Sequence, residues 1–213
     1  MKVWDLATRL YHWLQAIVFI GLLISGFSGN GPHIQLGLVL FTLIVWRILW
    51  GFYGSETNRF SQFVRSPIKT FQYLTGRSPQ STVIGHNPAG GWMVILMILG
   101  LLLQCITGLA LAGLLDNLPL AHYWLSDTTF EVLETLHIIL SKALPALVVI
   151  HIGAILTYKL NNKPLLKAMF TGIQNAYTNT GTQQPNFVSQ RVALLVLVVS
   201  GLVTIAIVAL SMV

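Results

Sequence analysis

The chain has 213 residues, of which 54% are hydrophobic and only 8% charged, against about 25% charged in an ordinary soluble domain. With a mean hydropathy of +0.73, this excludes a soluble globular protein and points to an integral membrane protein. Twelve Lys and Arg against six Asp and Glu would suit a nucleic-acid binder, but the basic residues are scattered through the connections between apolar runs and form no contiguous patch, so nucleic acid is excluded as a partner.

Five stretches are long enough to cross a bilayer as helices: Leu10–Phe27, His33–Phe52, Trp92–Leu114, Glu134–Tyr158 and Arg191–Val213. The first opens after a basic residue, as a signal peptide does. No A-x-A pattern follows it, however, and His12 and Trp13 are out of place in a leader. Before the third span, RFSQFVRSPIKTFQYL (Arg59–Leu74) mixes aromatic and basic residues and reads either as a segment lying on the membrane surface or as a solvated loop. His86, in the Gly/Pro turn IGHNPAGGW, is a candidate for a quinone or proton site, with an ordinary loop histidine as the alternative. His122, in PLAHYWL, reads as a loop residue. Gln104 and Cys105 read as packing residues of the third span. Cys105 is the single cysteine, so there is no intrachain disulfide and no CxxCH for covalent haem attachment. The six tryptophans lie mostly near span ends, as in an aromatic belt.

Charge sets the expected topology. Lys2 and Arg9, then Arg59, Arg65, Lys69 and Arg77, then Lys159, Lys163, Lys167 and Arg191 all fall on one side of the spans, whereas 28–32 and 115–133 contain no Lys or Arg. By the positive-inside tendency the N-terminus is cytoplasmic and the C-terminus periplasmic.

The fourth span carries His137 and His151, fourteen positions apart. Fourteen helical steps are about 1400°, within roughly 40° of four full turns, and rise ~21 Å. Both imidazoles therefore leave one face of one helix, one near each edge of a hydrocarbon core roughly 30 Å thick. His12 opens the first span near the inner face and His33 opens the second near the outer face. The depths match as His12 with His151 and His33 with His137. Ionisable groups are costly in a bilayer and usually mark function, and two histidines at each of two depths suit two non-covalent b haems with bis-histidine iron. Zinc would want three or four ligands at one point. A haem so ligated has no open position, which makes electron transfer the expected chemistry. Gly37, four residues after His33, either leaves room for a porphyrin edge or serves helix packing. Arg9, Arg47 and Lys142 are candidate partners for haem propionates, with a topology signal as the alternative for Arg9 and an outward-snorkelling side chain for Lys142.

WDLATRLYHW (Trp4–Trp13), the His33–Gly37 pair, GSETNRFSQFVRSP (Gly54–Pro67), GHNPAGGWM (Gly85–Met93) and the His137/His151 pair, in that order, resemble the prokaryotic cytochrome b561 and Ni,Fe-hydrogenase b-type cytochrome family. The resemblance covers about the first 180 residues and implies an all-α membrane protein. Its four-helix transmembrane bundle would hold two b haems on His12, His33, His137 and His151, and a fifth transmembrane helix is additional. Residues 1–180 would form the di-haem domain and 181–213 the extra helix. The implied function is electron transfer in the bacterial inner membrane between quinone and a periplasmic partner, either a c-type cytochrome or a hydrogenase-like oxidoreductase. The alternative is a b-type anchor subunit whose haem is mainly structural. A homodimer is left open.

Overall fold

The computed structural model describes residues 1–77, 85–161, 165–174 and 184–213; Lys163, one of the residues used for topology, lies outside them. Five helices are long and apolar enough to cross a membrane: α1 (Leu6–Ser28), α2 (His33–Tyr53), α5 (Pro88–Leu111), α7 (Asp127–Leu160) and α9 (Gln190–Ser211). Short helices α3 (Phe60–Phe63), α4 (Pro67–Leu74), α6 (Ala121–Trp124) and α8 (Leu165–Thr171) lie in the connections, with one 3₁₀ turn at Glu56–Asn58. Among the described residues there is no strand, only an isolated bridge between Lys2 and Ile173. Helices are expected here, because a chain in lipid must satisfy its backbone polar groups internally.

Local chemistry sets the helix ends. Asp5 caps α1 by accepting from the Thr8 amide at 2.6 Å, and Gly29 closes it at φ 66°, the left-handed conformation that glycine adopts without strain. Asn87 caps α5 just ahead of Pro88. Ser126 caps α7, which carries the helix back to Asp127 through DTTFEVL, about two turns before the apolar run begins. At 34 residues α7 is ~51 Å long, well beyond the hydrocarbon thickness, and it runs unbroken through Pro145.

The helices pack in a row, α1 on α2, α2 on α5 and α5 on α7, so that α1 and α7 are its two ends. α9 lies against α2 and touches α1. Its inward stripe is Ala193, Val196, Ser200 and Thr204. Thr204 bonds Thr42 of α2 at 2.7 Å, and Trp46 donates to the Ala193 carbonyl at 3.0 Å. The fifth helix thus braces α2 by hydrogen bonds that hydrocarbon does not compete for.

One end of the bundle, along the helix axes, is unusually tight. Val3, Asp5, Trp50, Ser55, Asn58 and Phe63 are nearly inaccessible. Val3 and Trp4 donate backbone bonds to Gly172 at 2.7 and 3.2 Å, and Asn58 donates to Asp5 at 3.0 Å. Here the N-terminal residues, the α2–α5 connection and the segment after α8 meet. The segment 59–74 is neither a single surface helix nor a loop: Phe63 is buried in this layer, whereas Ile68, Phe71 and Leu74 of α4 are exposed. Trp46 and Trp50 are stacked on each other and buried, so these two belong to the core rather than to a belt.

Candidate functional site

The far end of the bundle, where α1 turns into α2, brings His33 and His137 together with ring centres 6.4 Å apart and planes at 75°. Two metal–nitrogen bonds of about 2 Å each, plus two imidazole ring radii, span roughly 6 Å. The rings are thus spaced as two imidazoles sharing one metal would be. Each is held by a hydroxyl. Ser25 of α1 lies 2.9 Å from His33 Nδ1, and Thr107 of α5 lies 2.9 Å from His137 Nδ1. Both hydroxyls give their own proton to a carbonyl three residues back, Ser25 to Leu22 and Thr107 to Gln104. They therefore accept from Nδ1–H, which leaves Nε2 of each ring with its lone pair, the form a metal requires.

Beside the pair is a cavity of about 550 Å³ lined by Gly37, Leu40, Leu101, Cys105 and Leu144 among others, within the size range of cofactor pockets. Glycines shape it. A Cβ on Gly26 would come within 3.1 Å of His33 Cε1, and one on Gly108 within 3.0 Å of His137 Cε1, while one on Gly37 would meet nothing within 4 Å. A large apolar cavity with two convergent imidazoles fits a porphyrin. One group stands in the way: the Gln104 amide nitrogen is 3.0 Å from His137 Nε2 and must turn aside for that nitrogen to reach iron. Its Oε1 is buried without a partner, so no bond on that side tethers it. Gln104 is therefore not the packing residue expected from the sequence. Ser25, Gly26, Thr107 and Gly108 also escaped that reading. A usable signal was present in the third span, where Gly100, Gln104 and Gly108 recur every four residues in an otherwise bulky run and mark the face that meets α7. There a Cβ on Gly100 would come within 2.9 Å of Leu144.

At the tight end, His12 of α1 and His151 of α7 lie within electrostatic reach of one another. His12 Nδ1 is sealed from solvent with no hydrogen-bond partner, and its ring abuts Trp13 edge-on at 5.1 Å. A buried imidazole nitrogen without a partner is costly in a folded chain, which marks this ring as more than a packing residue. His12 and His151 could therefore grip a second metal between the two end helices. Among the described residues no group of three or more His, Cys, Asp or Glu could hold a metal ion by itself.

A family model described as prokaryotic cytochrome b561 matches residues 3–172. The chain belongs to the prokaryotic cytochrome b561 family. No curated protein and no solved structure matches it. This multi-pass bacterial membrane protein is thus a b-type cytochrome of membrane electron transfer, a family that binds b-type haem and works in lipid with redox partners. The matched region holds all four histidines and ends before α9.

The remaining candidates of this cytochrome separate by their surroundings. Arg9, one turn before His12, donates through Nη1 to the Phe170 carbonyl, and its Nε is buried without a partner. Arg47 is buried, donates to the Asn58 carbonyl at 3.4 Å, and lies over Phe60 and Phe63 at 5.4 and 5.9 Å. It is engaged with protein. Lys142 is exposed and does not line the cavity, and His122 lies against Tyr123. His86 is wedged between Trp4 and Phe63, at 4.8 and 4.7 Å, with Nδ1 buried and unpartnered. Burial, then Arg47 and His151, lower its pKa to about 3, so it is neutral at ordinary pH.

Proposed function

We propose that this cytochrome relays electrons across the inner membrane through two b haems, one held by His33 and His137 and the other by His12 and His151. When bound, a bis-histidine haem supplies one-electron exchange at an iron with no free coordination position. The chain's contribution is to aim the four imidazoles, fix their tautomers, and keep the two sites apart along α7. The observation that carries this reading is the 6.4 Å approach of His33 and His137 beside a cavity. Supporting a second, separate site, His151 follows His137 by fourteen residues on one unbroken helix, a rise of ~21 Å.

The electron donor or acceptor in the lipid is membrane quinone, and the partner on the far side is a periplasmic redox protein such as a c-type cytochrome. The tight end, rich in Lys and Arg, faces the cytoplasm, and the C-terminus faces the periplasm. Residues 1–180 form the di-haem unit and 181–213 the added helix. Arg9, with an unpartnered Nε beside His12, is the propionate partner at the inner site. The test is a reduced-minus-oxidised spectrum with a haem-to-protein ratio on the purified protein: two low-spin b haems are expected, and none would end the proposal. Substituting His151 by Ala removes one haem of two. Retention of both breaks the pairing. Rapid reduction by a quinol analogue separates an electron relay from a structural anchor subunit, which need not be reduced at that rate.

A further inference from the structure

Outside the four histidines, one arrangement occurs twice on two different helices. On α1, Ser25 accepts the His33 Nδ1 proton while Gly26 leaves the space against Cε1 of the same ring. On α5, Thr107 and Gly108 do the same for His137. In each case a hydroxyl residue is followed directly by glycine, and the ring settles onto the backbone between them. A methyl on either glycine would crowd Cε1 at 3.1 or 3.0 Å and press the ring by a few tenths of an ångström, so the glycine and the hydroxyl bear on the same ring position. With the hydroxyl protons assigned to the Leu22 and Gln104 carbonyls, at 3.2 and 2.9 Å, the rings are the donors in both contacts. At the other end, His12 Nδ1 has no such acceptor.

We infer that Ser25–Gly26 and Thr107–Gly108 are paired seats for the outer haem's ligands. They fix which nitrogen each imidazole offers and, by accepting the Nδ1 protons, lower the outer haem's reduction potential. The inference rests on the assignment of His33 and His137 as the outer ligands. An imidazole that gives its Nδ1–H to an acceptor is the more basic ligand, and a more basic ligand favours ferric over ferrous iron. Both outer rings have that acceptor. Ser25 and Thr107 are positioning residues: they touch the ligands and never the iron.

The test is a potentiometric titration of the purified holoprotein, with the ferric low-spin signal of each haem followed alongside. Replacing Thr107 by Val keeps the shape and removes the acceptor. A tenfold shift of one haem's ferric/ferrous equilibrium toward ferrous iron is expected, which is about 59 mV upward for one electron, with the other haem unmoved. Thr107→Ser restores the native value. Ser25→Ala removes a smaller group on a different helix and shifts the same haem in the same direction, so the inference remains testable should Thr107→Val fail to assemble. Two retained haems with neither potential moved, or both moved equally, would overturn it. A wild-type protein without haem would instead overturn the electron-relay proposal itself, so the two failures are distinguishable.

Discussion

Gly37→Ala separates the empty fold from the loaded one. A Cβ at this position meets nothing within 4 Å although the residue lines the outer cavity. In a helix interior, Ala is favoured over Gly by about 1 kcal/mol, and here no clash offsets it, so the haem-free protein should unfold at a slightly higher temperature than wild type. With a porphyrin in the cavity the same methyl becomes overpacked, at a cost of about 1–3 kcal/mol. Since 1.4 kcal/mol is a factor of ten, that is a roughly 5- to 150-fold loss of outer-haem affinity. The assay is the haem-to-protein ratio at limiting haem, with thermal unfolding of the haem-free form measured in parallel. A variant that binds both haems as wild type does, with an unchanged outer-haem spectrum, would show that the cavity is not where the porphyrin lies.

Gly108→Ala, in contrast, sets a methyl 3.0 Å from His137 Cε1 even without cofactor; thermal unfolding of the haem-free form should show less gain than Gly37→Ala. His137→Ala should halve the haem content while leaving the haem on His12 and His151 in place, read from the stoichiometry and the single remaining potential. His86 is neutral in the fold, with its pKa lowered from 6.5 to about 3. Between those two values the unfolded state binds more protons, so stability falls as pH drops from 6.5 toward 3 and is unaffected by this group above 6.5. His86→Phe should flatten that part of the curve of unfolding temperature against pH. Deleting 181–213 should lower the unfolding temperature, because Thr42 and Trp46 lose their partners on α9, yet leave both haems bound, as spectra of the truncated protein would show.

The spans and the meeting of His33 with His137 were legible because they depend on local periodicity. Apolar length marks a helix in lipid, and a fourteen-residue interval marks one face of it, whatever the neighbours are. What a side chain meets across a helix interface is set by packing, and one sequence does not reveal it. Gln104 reads as a polar residue in an apolar run until α7 places His137 against it. Ser25 and Thr107 are ordinary small residues until a ring lies beside them. For Arg47, too, the surroundings came from packing: a buried arginine invites an anionic ligand, and the fold sets the Asn58 carbonyl and two phenyl rings beside it. The start of α7 was missed because its first two turns are polar, and only the Ser126 cap reveals them.

The bridge between Lys2 and Ile173, with the Val3 and Trp4 bonds to Gly172, bears on how the protein is made. A ribosome delivers residue 2 long before residue 173, so the first helix must wait, inserted but unlatched, until nearly the whole haem-holding region has been synthesised. Biogenesis therefore includes a late clasping step that secures the side of the bundle between its first and fourth spans, with only the bracing of α2 by α9 left to follow.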